Sequence, residues 1–498
     1  MSVTELENSL ERMSLSIADA QQNFESLKQS IRKHFQTPVI VVNNKIVEEI
    51  KLTDEQQKIY DEVVAKLGNL ENDPLYLYVC GPAGTGKSVL LSELYKKINR
   101  RFENGCKIVA PTGIAALNVD GSTVHSVFKL DPYGTTYDEN PFAFDMNTKV
   151  IIIDEISMVD ATLFARIDNR LKTKFNNDEP FGGCSIIVFG DLMQLEPVFD
   201  KTNKSFVFQE IPSNTPFHNG LKNQLWNLFK FAELTDNRRT TDVKEANVLK
   251  LIRTGEYEDA KNDNFFENKQ CLKDLPAFID EGDAAFKKFK ELRTDANNLI
   301  ILAATNEIVD FINLQGLFEL PGDAYLYKKQ KIPYAHYARV VSNDIEHLRV
   351  KIGSPVMLTC NIDVKRGLVN GLIGKVSNCE EDGITVSFPS IGNDVKIERQ
   401  NWQKNGKGPI YAQFPLRLAT AITIHKSQGI TVDSVLFVTA DLFANNHFYT
   451  AISRAKSLKN SWITRYRDDM IKTSGESRAE IDRMRTEAAL FELAPVME

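Results

Sequence analysis

Apolar positions along the chain fall into short unbroken runs separated by stretches of helical period. Leu75 to Cys80, Ile108 to Pro111, Val150 to Ile153 and Ile186 to Phe189 are runs of buried-strand length, with helix-like segments between them around 87–100 and 159–175. Apolar strands alternating with helices predict a parallel sheet covered on both faces. The pattern recurs later. Leu299 to Ala304 is a strand candidate, Thr305-Asn306 a helix cap, and Ile308, Phe311 and Ile312 continue at helical spacing. Val435 to Val438 is another strand candidate. Between them, at about 345–418, the period falls to two. Ile384, Val386 and Phe388 alternate with polar residues, as do Ile410, Ala412 and Phe414, and Asn370-Gly371, Asp382-Gly383 and Gly392-Asn393 supply turns. That texture predicts a small antiparallel barrel inserted into the second α/β domain.

Residues 1–35 predict one helix. Leu6, Leu10, Met13, Ile17, Ala20, Phe24, Leu27 and Ile31 alternate in spacings of four and three, an a/d seam over nearly four heptads. Such a stripe needs a partner, because an isolated helix carrying it is marginal in water. Self-association or a protein partner is one reading; docking onto the other domains is the second. Residues 36–50 contain Thr37-Pro38 and Asn43-Asn44 and read as a connector.

Composition narrows the class. The chain has 498 residues, enough for two to four domains, and its 42% apolar and 26% charged residues are those of a globular protein. No apolar run approaches the roughly 20 residues that span a bilayer, so no membrane association is expected. The opening MSVTELENSLERM has no apolar signal core, which argues against secretion. Six cysteines lie far apart without a CxxC pair and read as buried thiols of a reducing compartment, nucleus or cytoplasm. The net charge of −7 does not advertise nucleic-acid binding, but a local channel can supply phosphate contacts that a whole-chain sum hides.

The most specific motif is Gly81-Pro82-Ala83-Gly84-Thr85-Gly86-Lys87-Ser88, between a predicted strand and a predicted helix. It matches a phosphate-binding loop: glycines let the backbone wrap a phosphate, Lys87 reaches the β- and γ-phosphates, and the Ser88 hydroxyl holds Mg²⁺. Val150 to Ile153 ends in Asp154-Glu155. Asp154 suits the Mg²⁺ shell, and Glu155 is placed to orient or deprotonate an attacking water. A third strand runs into Gly190-Asp191-Leu192-Met193-Gln194, where Gln194 is a candidate γ-phosphate sensor. ATP and Mg²⁺ are therefore the expected ligands.

Further motifs carry a resemblance. Thr53-Asp54-Glu55-Gln56 looks like an adenine-reading Q motif, and Ala110-Pro111-Thr112-Gly113-Ile114-Ala115-Ala116 looks like motif Ia. Gly121 to Phe128 is similar to the next DNA-contacting motif, and Asp154-Glu155-Ile156-Ser157-Met158 to the motif II of one branch. GDLMQLEPV at 190–198, ELTDNRRT at 233–240, LATAITIHKSQGITVDSV at 418–435 and YTAISRAKS at 449–457 follow in order. Together they resemble superfamily 1B helicases of the Pif1-like type, over about residues 51–465.

The resemblance implies an α/β fold of two RecA-like domains with ATP between them. It also implies a wedge inserted at about 126–147 and an SH3-like barrel in the second domain. The implied layout is 51–230 for the first domain, 231–344 with 419–470 for the second, 345–418 for the barrel, and 471–498 as a tail. It implies a helicase that translocates 5′-to-3′ on single-stranded DNA and opens forked or tailed duplex. The alternative is an ATPase that remodels nucleoprotein without separating strands. By resemblance Gln56 reads adenine, Arg239 and Arg454 reach the γ-phosphate, and Thr112, Gly113, His125, Thr423 and His425 contact DNA. Phe128 is either a stacking residue or core. Two departures stand out. Asn237-Arg238-Arg239-Thr240 offers two arginines at motif IV, and Glu196 stands where the family often has proline. His34, His218, His336, His347 and His447 read as surface or hydrogen-bonded histidines, Glu380-Glu381-Asp382 as a solvated turn, and Trp226 and Trp402 as core.

Overall fold

The computed structural model describes residues 39–42, 45–48, 51–130, 146–197, 205–210, 225–240, 242–256, 278–293, 299–333, 339–341, 347–363, 366–389, 391–404 and 409–493. The seam at 1–35 and most of the expected wedge lie outside them. Residues Met1–Gln57 and Lys58–Glu498 are two compact units. In the first, the expected connector contains an antiparallel hairpin, Val39–Val42 with Lys45–Glu48. The β-branched residues on both sides of Asn43-Asn44 explain why it forms.

In the second unit, six parallel strands form one sheet in the order Ser122–Thr123, Cys106–Ala110, Val150–Ile153, Ser185–Gly190, Tyr76–Cys80, Lys230–Glu233. Val150–Ile153 is buried along its whole length. Each such side chain contributes about 1.5–3 kcal/mol by leaving water. Ile151 and Ile153 share a core with Phe164, Ile167 and Trp226, while the helix Lys87–Arg101 packs against the central strands. Asp160 starts the helix Ala161–Phe175 by accepting from Leu163 N at 2.6 Å. Phe128 is fully buried in this core, which decides its reading. Lys230–Glu233 pairs with Tyr76–Cys80, so the boundary expected after residue 230 falls inside a strand of the first sheet.

A second parallel sheet has the order Ala421–Thr423, Leu299–Ala303, Ser434–Val438, Ser461–Ile463. Successive side chains alternate between its faces. Ile301, Ala303, Leu436 and Val438 join Phe286, Phe289, Ile308 and Ile312 in one core; Ile300, Leu302, Val435 and Phe437 join Ile252, Phe448 and Ile452 in another. The hydroxyl of Thr305 caps the helix Asn306–Glu319 as expected.

The segment between these strands is β-rich, and its strand pairing begins ahead of residue 345. Tyr325–Lys328 pairs with His347–Val350, and Gln330–Ile332 with Ile410–Gln413. A five-stranded antiparallel sheet runs Asn393–Ile397, Ile384–Phe388, Ile373–Cys379, Pro355–Leu358, Leu416–Leu418. Tyr327, Leu348, Ile384, Val386, Phe388 and Phe414 share one core. Strands of three residues with mixed polarity, such as Gln330–Ile332, carry too little periodicity to be read locally. Glu380 and Asp382 are exposed and pair with Lys396, as a solvated turn should.

The expected tail is instead a helix, Gly475–Leu493, packed on the first sheet's edge. Ile481 and Met484 enter the first core, Trp226 Nε1 donates to Glu480 at 2.8 Å, and Arg485 grips Glu233 with two bonds. Near its start Arg478 bonds Thr254 O and Glu256, beyond the helix Val243–Thr254 of the second core. Among the described residues no helix is long and apolar enough to cross a membrane.

Candidate active site

The carboxyl end of the first parallel sheet faces a cavity of about 650 Å³ that is closed on the other side by residues of the second domain. In open α/β sheets this edge is where ligands collect, because helix N-termini and loop amides converge there. Its lining includes Ala83, Gly84, Gly86, Lys87, Ser88, Asp154, Glu155 and Gln194 from the first sheet's loops. Gly429, Thr431, Arg454 and Lys456 come from the second, and Arg238 and Arg239 from the segment joining them.

The phosphate loop follows from its glycines. Gly84 and Gly86 have φ of 89° and 79°, a region that costs other residues strain. A Cβ on Gly84 would also lie 2.7 Å from Arg239 Cβ and 2.9 Å from Asn237 Oδ1. Lys87 Nζ turns back to donate to Gly81 O at 2.5 Å and Pro82 O at 3.0 Å. Gly81, Pro82 and Thr85 lie behind the lining, with the Thr85 hydroxyl donating to Pro82 O.

Asp154 is buried at the strand end. Burial first, and then the neighbouring Glu155, push its carboxyl up to about 7. A dication beside it would reverse that shift, so a buried carboxylate and the Ser88 hydroxyl on one wall fit Mg²⁺. Glu155 adopts φ 53°, in the left-handed region, and Oε2 accepts from Gln428 Nε2 at 3.0 Å. The same amide donates to Ser157 Oγ at 3.2 Å.

Arg454 is buried, donating to Thr450 O and, at 3.4 Å, to Gln194 Oε1. Burial lowers its guanidinium's pKa, with Glu155 opposing. Arg239 donates to Ser453 O and to Thr431 Oγ1. Burial and the adjacent Arg454 bring it down to about 10, so it stays charged at neutral pH. A buried and a half-buried guanidinium facing lysine and carboxylate across a cavity suit a polyphosphate. Arg238 is exposed and its backbone N donates to Gly84 O, although it also lines the cavity.

Family models match in chain order: one described as PIF1-like helicase at 51–262, one as DNA helicase Pif1, 2B domain at 344–378, and one as UvrD-like helicase C-terminal domain at 418–458. The ATP-dependent DNA helicase PIF1 of Danio rerio is 28% identical over 458 residues, 89% of this chain and 65% of that protein. The chain thus spans just under two thirds of that relative. The ATP-dependent DNA helicase Pif1 of Campylobacter jejuni is 30% identical, over 76% of this chain and 86% of that one. The crystal structure of a Bacteroides Pif1 helicase with ADP-AlF3 and ssDNA matches with a TM-score of 0.66 at 29% identity, over 88% of this chain and 98% of that one. The chain belongs to the PIF1-like helicase family.

The two parallel sheets are therefore the RecA-like domains of a PIF1-like helicase. In this family member the residues expected at DNA lie apart from the cavity lining. Thr112 caps the helix Gly113–Asn118 by accepting from Ala115 N. Gly113 approaches the β-rich segment so closely that a Cβ would lie 2.8 Å from Asn370 O. His125 sits half-buried in the short helix Val124–Phe128. Thr423 ends a strand of the second sheet and is buried, while His425 is half-buried on the next turn. Within the first compact unit, Gln56 is spent in a capping box: its Oε1 accepts from Thr53 N, and Thr53 Oγ1 accepts from Gln56 N.

Several cross-domain residues escaped sequence reading. Gln428 and Tyr449 lie inside motifs already recognised, but local sequence assigns them no partner. Tyr449 OH accepts from Ala83 N of the phosphate loop at 3.0 Å and donates to Asp191 Oδ2 at 3.4 Å. Arg253, in the helix Val243–Thr254, had no local signal. It forks onto Asp191 with bonds of 2.8–3.1 Å, both groups buried. Glu196, the departure from proline, accepts from Asn445 at 3.0 Å. His447, read as a surface or hydrogen-bonded residue, is buried, and neither ring nitrogen has a partner among the described residues.

The Arg253–Asp191 pair gives a stability prediction. Burial alone would raise the Asp191 pKa, but the Arg253 guanidinium outweighs it and holds the carboxyl below its usual range. That stabilisation is complete above the ordinary carboxylate pKa and is lost as pH falls through the lower folded value. Arg253→Ala leaves a buried carboxylate unpaired and is expected to cost about 3–5 kcal/mol. Thermal melting at pH 7 checks this, and an unchanged melting temperature would show that the pair contributes nothing.

Proposed function

We propose that this chain is an ATP-driven motor that moves along single-stranded DNA, 5′-to-3′, and opens forked or tailed duplex. The observation that carries it is the cavity where the phosphate loop and Glu155 of one RecA-like domain meet Arg454 of the other, with Arg239 on the segment joining them. A reaction built across two domains couples to their separation. Family membership and the DNA-bound Bacteroides relative support the choice of DNA as track.

In this reading ATP enters with its phosphates on the loop. Lys87 exchanges its bonds to Gly81 O and Pro82 O for phosphate oxygens, which satisfy an ammonium better than neutral carbonyls. Ser88 and Asp154 would hold Mg²⁺, whose charge would offset that of the phosphates. Glu155 takes a proton from the attacking water, and Gln428 keeps its carboxylate oriented. Arg239 and Arg454 stabilise charge at the γ-phosphate, and Gln194 couples that phosphate to Arg454.

The test compares 5′-tailed, 3′-tailed and blunt duplexes for strand separation and stimulated hydrolysis. Unwinding confined to the 5′-tailed duplex is expected. Hydrolysis stimulated by all DNAs with no strand separation would replace the motor with a nucleoprotein-remodelling ATPase.

Thr423 and His425 sit on the turn that leads to Gln428, so they join the proposed DNA track to Glu155. Thr423→Ala and His425→Ala are expected to lower the ratio of DNA-stimulated to DNA-free hydrolysis. An equal fall in both rates would place them in the hydrolytic machinery instead.

A further inference from the structure

Beside His425 stands an aromatic side chain that no motif accounts for. Phe443, on the loop before the helix His447–Ile452, is 67% exposed. A lone exposed phenylalanine is ordinary, and Phe318, 72% exposed on a helix face beside Leu314, is such a case. Phe443 differs because two imidazoles fix it. Its ring lies near-parallel to His425, at 15° with centroids 6.4 Å apart, and edge-on to His447 at 83° and 4.7 Å. His425 and His447 are themselves perpendicular at 5.2 Å. The three rings form a closed triangle joining the turn Ile424–Ser427 to the loop.

The floor of the triangle is unusual. His447 is 1% exposed, and neither nitrogen has a hydrogen-bond partner among the described residues. Burial, and then His425, bring its pKa down to about 3, so the ring is neutral at any working pH. A buried imidazole without partners forgoes its polar chemistry and serves as a flat wall. Lys426 follows His425 in sequence; burial and then the Arg417 guanidinium, itself paired with Asp310, lower its ammonium to about 8. A pinned, solvent-facing ring next to a residue expected on the strand is a surface on which an unpaired base can stack.

We propose that Phe443 is a stacking platform for one unpaired nucleobase of single-stranded DNA, held flat by His425 and His447. The inference rests on the DNA-motor reading above. It adds a base contact to a track otherwise built from hydroxyl and imidazole groups.

The test uses the full chain and fluorescence anisotropy with oligo-dT. Phe443→Ala is expected to weaken binding about tenfold or more, as losing one stacked base does. Phe443→Trp should bind within about twofold of the native chain, and Phe443→Leu, apolar but not planar, should behave like alanine. Oligonucleotides with a single abasic position then locate the base. The native chain should lose affinity at one position, and Phe443→Ala should be indifferent there. Native-like binding by Phe443→Leu, or an abasic penalty equal in both proteins, overturns the platform alone. A native chain that binds nucleotide but no single strand overturns the DNA reading, and the platform with it.

Discussion

Glu155→Gln is expected to cut ATP turnover by about 10²- to 10⁴-fold, the range a positioned general base supplies, while nucleotide still binds. The structure makes this substitution a clean one. A glutamine keeps the length of the side chain, and its amide oxygen can still accept from Gln428 Nε2, now 3.0 Å from the carboxylate. The left-handed backbone at Glu155, φ 53°, is no worse for glutamine than for glutamate. Asp154 and Ser88 remain to hold the metal. What is lost is the base. Phosphate release at saturating single-stranded DNA measures turnover, and a fluorescent nucleotide measures binding. Near-native turnover would show that Glu155 does not take the proton. Loss of binding along with turnover would show that it shapes the nucleotide site instead.

Arg454→Ala and Arg239→Ala are each expected to lower DNA-stimulated turnover by about 10³- to 10⁵-fold, the contribution of an arginine that meets the γ-phosphate in the transition state. Arg454 already bonds Gln194, and Arg239 already reaches Ser453 O and Thr431 of the second domain. Both are thus aimed across the cavity and not into solvent. Lysine at either position should restore little, since an ammonium cannot reproduce the planar fork. The neighbouring Arg238 supplies the control. Its side chain is exposed, and its fixed contact is a backbone bond to Gly84 O. Steady-state kcat for the three alanine variants ranks them. A larger loss at Arg238 would move the assignment by one residue, and losses under tenfold at both Arg239 and Arg454 would remove the arginines from the chemistry.

The central strands of both parallel sheets were legible because their signals are local, whereas the edge strands Ser122–Thr123, Lys230–Glu233, Ala421–Thr423 and Ser461–Ile463 carry no such apolar run. Val150–Ile153 has the bounds its apolar run predicted, and Thr305 caps the helix it was expected to cap. The phosphate loop was legible because its glycines are contiguous, and their φ values require glycine whatever the rest of the chain does. The short strands Tyr325–Lys328 and Gln330–Ile332 were missed for the opposite reason. Each owes its existence to a partner supplied from residues 347–350 or 410–413. The C-terminal helix was passed over because its apolar contacts, Ile481 and Met484, are sparse, and its anchoring is ionic, through Glu480 and Arg485.

Sequence alone therefore determined the chemical inventory: a phosphate loop, two carboxylates at a strand end, arginines in known motifs, and two α/β domains to carry them. These features depend on residue type and short spacing, which a chain displays without folding. Tertiary structure decided which groups act on one another. Gln428 reaches Glu155 from 273 positions away, and Tyr449 reaches the phosphate loop from 366. Arg253 neutralises Asp191 across the domain boundary, and His447 gives up both hydrogen bonds beneath Phe443. No local period encodes such pairs, because the distance between their members is set by how two sheets pack and not by the chain between them.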